Sequence, residues 1–172
     1  MCIRDRFSTA RFGGLVPDKG EYGSLESETT SALDQRLVTL TRLMEAMDFR
    51  KSATELRSMW VIGNEYLQKA EPWMKMKTDP VSAGVSIRYA LNLALAFAAL
   101  AQPFIPDTAV KISRALGGKE TSLPWPRAIA DTVAQLTPGA AIGVPDVLFA
   151  KIEDTQVAEW ADRFGGSESR SS

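Results

Sequence analysis

The 172-residue chain contains no histidine and a single cysteine. The absence of histidine excludes Ser-His-Asp and Cys-His catalysis, imidazole metal ligands and a histidine pH switch within the chain. One cysteine cannot form an internal disulfide or a cysteine-rich metal site, and it is typical of a reducing, cytoplasmic setting. We therefore predict no catalytic residues, no metal ligands and a cytoplasmic location.

Excess charge and long apolar runs are also missing. A net charge of −1 and a pI of about 5.6 exclude a polycation that binds nucleic acid over its whole surface, so any such contact must be local. The N-terminus lacks the apolar region of a signal peptide. The most apolar run, residues 89–101, is interrupted by Asn92 and is too short for a bilayer. It predicts a buried core helix and no membrane contact.

Apolar residues recur at steps of three and four along the first half of the chain, which is the spacing of one helix face. A first helix is predicted from near Ser24, with an apolar face made of Leu33, Leu37, Leu40, Met44 and Met47. A second is predicted from about residue 49 to residue 70, with a face made of Ala53, Leu56, Trp60, Gly63 and Leu67. Glu26 and Glu28 lie in the first turn of the first helix, where we expect both carboxylates in solvent.

Start and stop signals outline the second half of the chain. Asp79 followed by Pro80 begins a helix that runs to about Gln102, because aspartate caps a helix and proline suits its first position. The other predicted elements are a helix at 106–116, a brief helix within 127–136, a short strand or extended packing segment at 147–149 and a final helix at 152–164. Residues 166–172 are predicted to be a disordered tail. Long helices joined by short loops predict an all-α helical bundle.

Basic and aromatic residues are concentrated between residues 49 and 78. This segment has six basic and three acidic residues, a net charge of +3 in a chain of net charge −1. Cations for phosphates and flat rings for bases are typical of a surface that binds single-stranded nucleic acid. Trp60 lies on the apolar face and is predicted to be core, whereas Trp73 follows the helix-ending Pro72 and is predicted to be exposed. Asn64 lies one step past the apolar face, so it is either a ligand contact or an ordinary solvent-facing amide.

Four stretches of sequence resemble one family. They are R-F-G-G-L-V-P at 11–17, W-V-I-G-N-E-Y-L-Q-K-A-E-P-W at 60–73, the apolar helix ending in Q-P-F-I-P at 102–106, and L-F-A-K-I-E-D-T-Q-V-A-E-W at 148–160. Together they resemble the C-terminal part of bacterial methionyl-tRNA synthetase over about residues 7–165. The specific part is the N-E-Y segment with its P-W, followed by the P-x-x-P after the apolar helix, because helical periodicity alone would fit many bundles.

The resemblance implies the helical anticodon-binding domain of a class I aminoacyl-tRNA synthetase, at residues 7–138. Its partner would be the anticodon loop of methionine tRNA, CAU. Pro72 and Trp73 match the family's Pro-Trp pair, whose tryptophan stacks on the first anticodon base, and Asn64 and Tyr66 match positions on the anticodon side. The resemblance thus assigns all four residues to the anticodon-binding site. Stacking tolerates any base, so the cytosine must be recognised by hydrogen bonds. Phosphate contacts, which salt would weaken, are expected from Lys69, Lys75 and Lys77.

The C-terminal segment, residues 139–165, matches the part of the family that folds back toward the catalytic domain of the same parent chain. Val157, Trp160 and Phe164 share one face of its predicted helix. The parent would ligate methionine to its tRNA using ATP and magnesium. Neither the HIGH-type motif nor the KMSKS loop of that catalytic domain is present here, so we expect this chain alone to bind no cofactor and to be inactive. No additional dimerisation domain follows, which predicts a monomer.

Residues 1–6 depart from the family, whose helix at that place carries another anticodon-reading asparagine with an arginine nearby. This departure predicts a truncated N-terminus. Two alternatives stay open. The bundle could belong to another class I synthetase, for isoleucine, valine, leucine or cysteine, although the N-E-Y and P-W segment argues against these. It could also be a helical protein-interaction module without RNA binding. An exposed Trp73 beside basic residues would favour the RNA-binding reading over a tryptophan sealed in the core.

Overall fold

The structure is a computed structural model that describes residues 13–119, 121–143 and 148–165. Within those residues the helices are α1 (Ser24–Glu45), α2 (Phe49–Ala70), α3 (Pro72–Lys75), α4 (Pro80–Ala101), α5 (Pro106–Ala115), α6 (Ile129–Thr132) and α7 (Asp154–Phe164). The predicted all-α bundle is confirmed. The expectations for residues 1–6, Val147 and the tail at 166–172 lie outside the described residues.

Extended structure in the described ranges is limited to one isolated antiparallel bridge, between Leu15 and Ala141. The bridge joins the chain before α1 to the chain after α6. Leu148 and Phe149 do not form a strand. The predicted extended segment at 147–149 is therefore not a strand at the two positions that the structure describes.

Local capping explains why the long helices begin where they do. The Asp79 side chain accepts a hydrogen bond from the backbone N–H of Ser82 at 3.0 Å, and Pro80 occupies the first helical position. Hydrogen bonding by the Ser82 side chain, and then by its backbone N–H, holds the pKa of the Asp79 carboxyl below its usual value. Asp48 caps α2 in the same way, accepting from the N–H of Lys51 at 3.3 Å. Both starts agree with the sequence prediction.

The centre of the bundle is α4, which contacts α2, α3, α5 and α6. It is the one helix of the described chain that is long and apolar enough to span a membrane, and 83% of its most apolar 18-residue stretch is buried inside the bundle. That burial identifies it as the core helix that the sequence predicts. Its buried residues include Leu91 and Ala98, whereas Leu95 is only partly buried against a smaller cluster.

The buried face of α2 differs from the predicted one. Its buried residues are Ser52, Leu56, Met59, Gly63, Tyr66 and Ala70. The prediction of Trp60 as core is wrong, since that side chain is 37% exposed. Gly63 allows this register because a Cβ added there would lie only 2.7 Å from Phe97 Cε2 on α4. The prediction for Met47 is also wrong, because it lies beyond the end of α1 and is exposed.

A buried carboxylate joins α1 to α2. The Tyr66 hydroxyl donates to Glu26 Oε1 at 2.5 Å, and the backbone N–H of Gly23 donates to Glu26 Oε2 at 2.8 Å. The prediction that Glu26 is solvated is therefore wrong, whereas Glu28 is exposed as expected. The Tyr89 hydroxyl donates to the backbone carbonyl of Glu26 at 3.1 Å. Burial raises the pKa of Tyr66, and it raises the pKa of Tyr89 to about 12.

The raised tyrosine pKa values predict a loss of stability in alkali. Above pH 10 the unfolded chain releases the Tyr89 proton while the folded chain keeps it until about pH 12, so the folded state loses about 1.4 kcal/mol per pH unit in that window. The free energy of unfolding, measured with urea between pH 9 and pH 12, should therefore fall more steeply with pH for the native chain than for Tyr89→Phe. The phenylalanine has no proton to release. The same pH dependence of the free energy of unfolding in both proteins would contradict this prediction.

Candidate nucleic-acid interface

The chain changes direction sharply after α2. Pro72 cannot continue a helix, because it has no N–H and disfavours the right-handed helical conformation at the residue before it. Glu71 instead adopts a left-handed conformation, with φ of 45° and ψ of 52°. Its carbonyl accepts hydrogen bonds from the backbone N–H groups of Met74 at 3.0 Å and Lys75 at 3.1 Å. The short helix α3 starts from this bend.

This short helix places Trp73 at the surface. The Pro72 side chain is fully buried, and α3 packs against α4. The next residue in a helix points about 100° away from its predecessor, because a turn holds 3.6 residues. Trp73 accordingly faces outward and is 47% exposed. The predicted exposure of Trp73 is confirmed, and Pro72 is its buried support rather than part of the accessible surface.

Cations flank the exposed tryptophan in the sequence. Lys69 and Lys77 are exposed and Lys75 is partly buried. None of these three lysines takes part in an ion pair in the part of the chain that the structure describes. No carboxylate of the described residues therefore neutralises their charge in direct contact, which suits attraction to phosphate groups.

Asn64 is exposed on α2, which both interpretations of the sequence allow. It lines a cavity of about 280 Å³ between α2, α4 and α5, together with Trp60 and Phe97. The sequence did not predict Trp60 as a surface residue. The spacing of apolar residues by three and four fits the predicted face of α2, but it also fits a neighbouring face that passes through Met59 and Tyr66.

Tyr66 does not lie beside Trp73 on the surface. Its side chain is 1% exposed, and its hydroxyl is bound to the buried Glu26 carboxylate. The prediction that Tyr66 lines an accessible anticodon-binding surface is therefore wrong. Its aromatic ring packs against Tyr89, with 4.6 Å between the ring centroids, so its role is to join α2 to α1 and α4.

A second exposed surface lies at the C-terminal end of the described chain. Val157, Trp160 and Phe164 are all exposed on α7, and the preceding Phe149 and Ile152 are exposed too. The three α7 residues share one helix face by their spacing, as the sequence predicts. This surface is apolar, in contrast to the basic and aromatic surroundings of Trp73.

The fold is similar to that of part of two solved structures. The bundle matches crystal structures of methionyl-tRNA synthetase from Mycobacterium tuberculosis. The match to the apo form has a TM-score of 0.74 at 22% sequence identity and covers 88% of this chain and 31% of that one. The form with bound methionyl-adenylate gives a TM-score of 0.72 at 23% identity, over 87% of this chain and 30% of that one. These matches show that the described chain shares its all-α fold with part of those synthetase chains.

Sequence comparisons identify the family. Residues 16–169 match the anticodon binding domain of methionyl tRNA ligase. Methionine–tRNA ligase from Maricaulis maris is 48% identical, over 94% of this chain and 29% of that protein. The enzyme from a Caulobacter species (strain K31) is 46% identical, over 95% of this chain and 29% of its own length. The chain belongs to the family of anticodon-binding domains of methionyl-tRNA ligase, and it spans less than a third of the relatives it matches.

Proposed function

We propose that this chain binds the anticodon loop of methionine tRNA, with sequence CAU, and that Trp73 stacks on the first anticodon base. The observation that carries the proposal is the half-exposed Trp73 directly after the fully buried Pro72. A rigidly supported aromatic ring at the surface suits a base, because stacking is worth about 1–3 kcal/mol per base. The family to which the chain belongs supports the choice of tRNA as the partner.

Stacking does not select cytosine, so the proposal needs hydrogen-bonding groups as well. The Asn64 amide carries both donors and an acceptor and is exposed on the helix that leads to Trp73. We propose that it reads a base edge of the loop, and that Lys69, Lys75 and Lys77 attract the phosphates. The phosphate contribution should weaken as salt rises, whereas stacking should persist.

The apolar surface of α7 has a proposed role in the whole protein. Residues 139–165 would contact the catalytic domain of the same parent chain, which ligates methionine to tRNA using ATP and magnesium. The exposed Trp160 and Phe164 support this, because adjacent exposed apolar residues mark interaction surfaces. We further propose that the parent is a cytoplasmic monomer and that the isolated chain has no ligase activity.

The proposal predicts selective binding to one RNA hairpin. The purified chain should bind an anticodon stem-loop with CAU more tightly than one with its first base changed from cytosine, by about 10-fold for the loss of one or two base-edge hydrogen bonds. Binding should be measured by titration at one fixed salt concentration, with the stem unchanged. Equal affinity for the two hairpins would refute the proposed specificity. No binding to either would favour a protein-interaction module.

A further inference from the structure

Two non-glycine residues of the described chain have left-handed backbone conformations, Met47 with φ of 56° and Glu71 with φ of 45°. Residues with a Cβ rarely adopt this region, and glycine is the usual residue where a helix ends this way. Glu71 is of interest because it lies two residues before the exposed Trp73. Met47 lies between α1 and α2, at the opposite end of α2.

The left-handed conformation of Glu71 is needed by the hydrogen bonds on both sides of the bend. Its N–H donates to the Leu67 carbonyl at 3.1 Å, which completes the last turn of α2. Its carbonyl accepts from the N–H groups of Met74 and Lys75, which begin the next turn. An extended Glu71 would turn that carbonyl away from both donors. The backbone of one residue therefore closes α2 and starts α3.

From this geometry we infer that Glu71 is a positioning residue for Trp73. Its left-handed backbone, followed by the buried Pro72, fixes the direction of α3 and thereby holds the indole ring at the surface ready for a base. The inference rests on the proposed function of Trp73. It assigns the effect to the backbone of Glu71 and not to its carboxylate, which would repel phosphate groups.

Substitutions that differ in their tolerance of the left-handed region test this. Glu71→Val disfavours the conformation, because a β-branched residue there is an outlier. If only about a tenth of the molecules keep the bend, the Kd for the CAU hairpin rises about 10-fold. Glu71→Gly accepts the conformation freely and should restore most of the affinity lost in Glu71→Val. Glu71→Val should lose affinity for the hairpin even though it removes a carboxylate that would repel the phosphates.

Met47→Val is the matched control, because it places the same β-branched residue at the other left-handed position. The two positions are separated by the 22 residues of α2, a length of about 33 Å. Both valine variants should lower the thermal midpoint, but only Glu71→Val should weaken hairpin binding. In an amide and indole ¹⁵N–¹H spectrum, the Trp73 indole resonance should shift in Glu71→Val. The Trp125 resonance should stay in place, since its Nε1–H donates to Thr41 at 3.0 Å.

The possible results separate the inference from the function on which it rests. If Trp73→Ala weakens binding and Glu71→Val does not, Glu71 does not position Trp73 and the proposed function stands. If Glu71→Gly loses as much affinity as Glu71→Val, the side chain acts and the backbone account is overturned. If Trp73→Ala leaves binding intact, the proposed function fails. In that case the Trp73 indole resonance alone tests whether Glu71 positions Trp73. An unshifted Trp73 signal in Glu71→Val would overturn the inference.

Discussion

Trp73→Ala should weaken binding of the chain to a CAU anticodon stem-loop by about 1–3 kcal/mol, which is about 5–150-fold in Kd. The reason is the loss of a stacking platform that is already at the surface in the free protein. Because the side chain is 47% exposed, its removal should leave the urea midpoint almost unchanged. Titration and urea unfolding of the same preparations measure the two effects separately.

Met74→Ala is the matched control for this prediction. Met74 is the next residue of the same short helix and is even more exposed than Trp73, but its side chain offers no flat ring. It should keep the native affinity within about twofold, since surface substitutions away from special features change energies by about 0.5 kcal/mol or less. If both variants lose affinity equally, the effect belongs to the helix and not to stacking by Trp73.

Asn92→Ala should lower the free energy of unfolding by about 2–4 kcal/mol, the largest effect on stability that we expect. The substitution leaves a cavity and a buried backbone amide without a partner. Asn92 is fully buried on α4. Its Oδ1 accepts from the Leu136 backbone N–H at 2.9 Å, and its Nδ2 donates to the Arg88 carbonyl at 3.0 Å. Alanine leaves the buried Leu136 N–H without this acceptor. Urea unfolding at pH 7 measures the loss.

Gln102→Ala provides the comparison for Asn92→Ala. The Gln102 amide also joins the end of α4 to a later segment, donating to the Thr121 carbonyl and accepting from the Leu123 N–H, both at 2.7 Å. It is only partly buried, so water replaces the lost bonds and the cost should stay near 1 kcal/mol. Equal losses in the two variants would show that burial does not set the cost of removing these amides.

The helix boundaries could be predicted because their signals are local. Asp79 and Pro80 lie next to each other in the sequence, and together they specify the start of α4 without help from the rest of the molecule. Pro72 likewise specifies the end of α2 and the exposure of Trp73. Each of these features depends on the backbone chemistry of residues a few positions apart.

The buried face of α2 could not be predicted because it depends on distant partners. Tyr66 turns inward to reach Glu26, a residue 40 positions earlier in the chain. The Phe97 ring lies over Gly63, so α2 packs closely on α4 at that point, and Trp60 is 37% exposed. The spacing of apolar residues fits two adjacent faces equally well, and only these long-range contacts select one. Helix spacing therefore placed Trp60 wrongly, and the family resemblance placed Tyr66 wrongly. The local signal of Pro72 located Trp73 correctly.

The most direct test of the central claim is a double-mutant cycle between Trp73 and the first anticodon base. The native chain and Trp73→Ala are each titrated with the CAU hairpin and with a hairpin that is abasic at the first anticodon position, at one salt concentration. Stacking of Trp73 on that base predicts a coupling energy of about 1–3 kcal/mol, so that Trp73→Ala costs no binding energy once the base is absent. Additive losses, with Trp73→Ala equally harmful to both hairpins, would contradict stacking of Trp73 on that base.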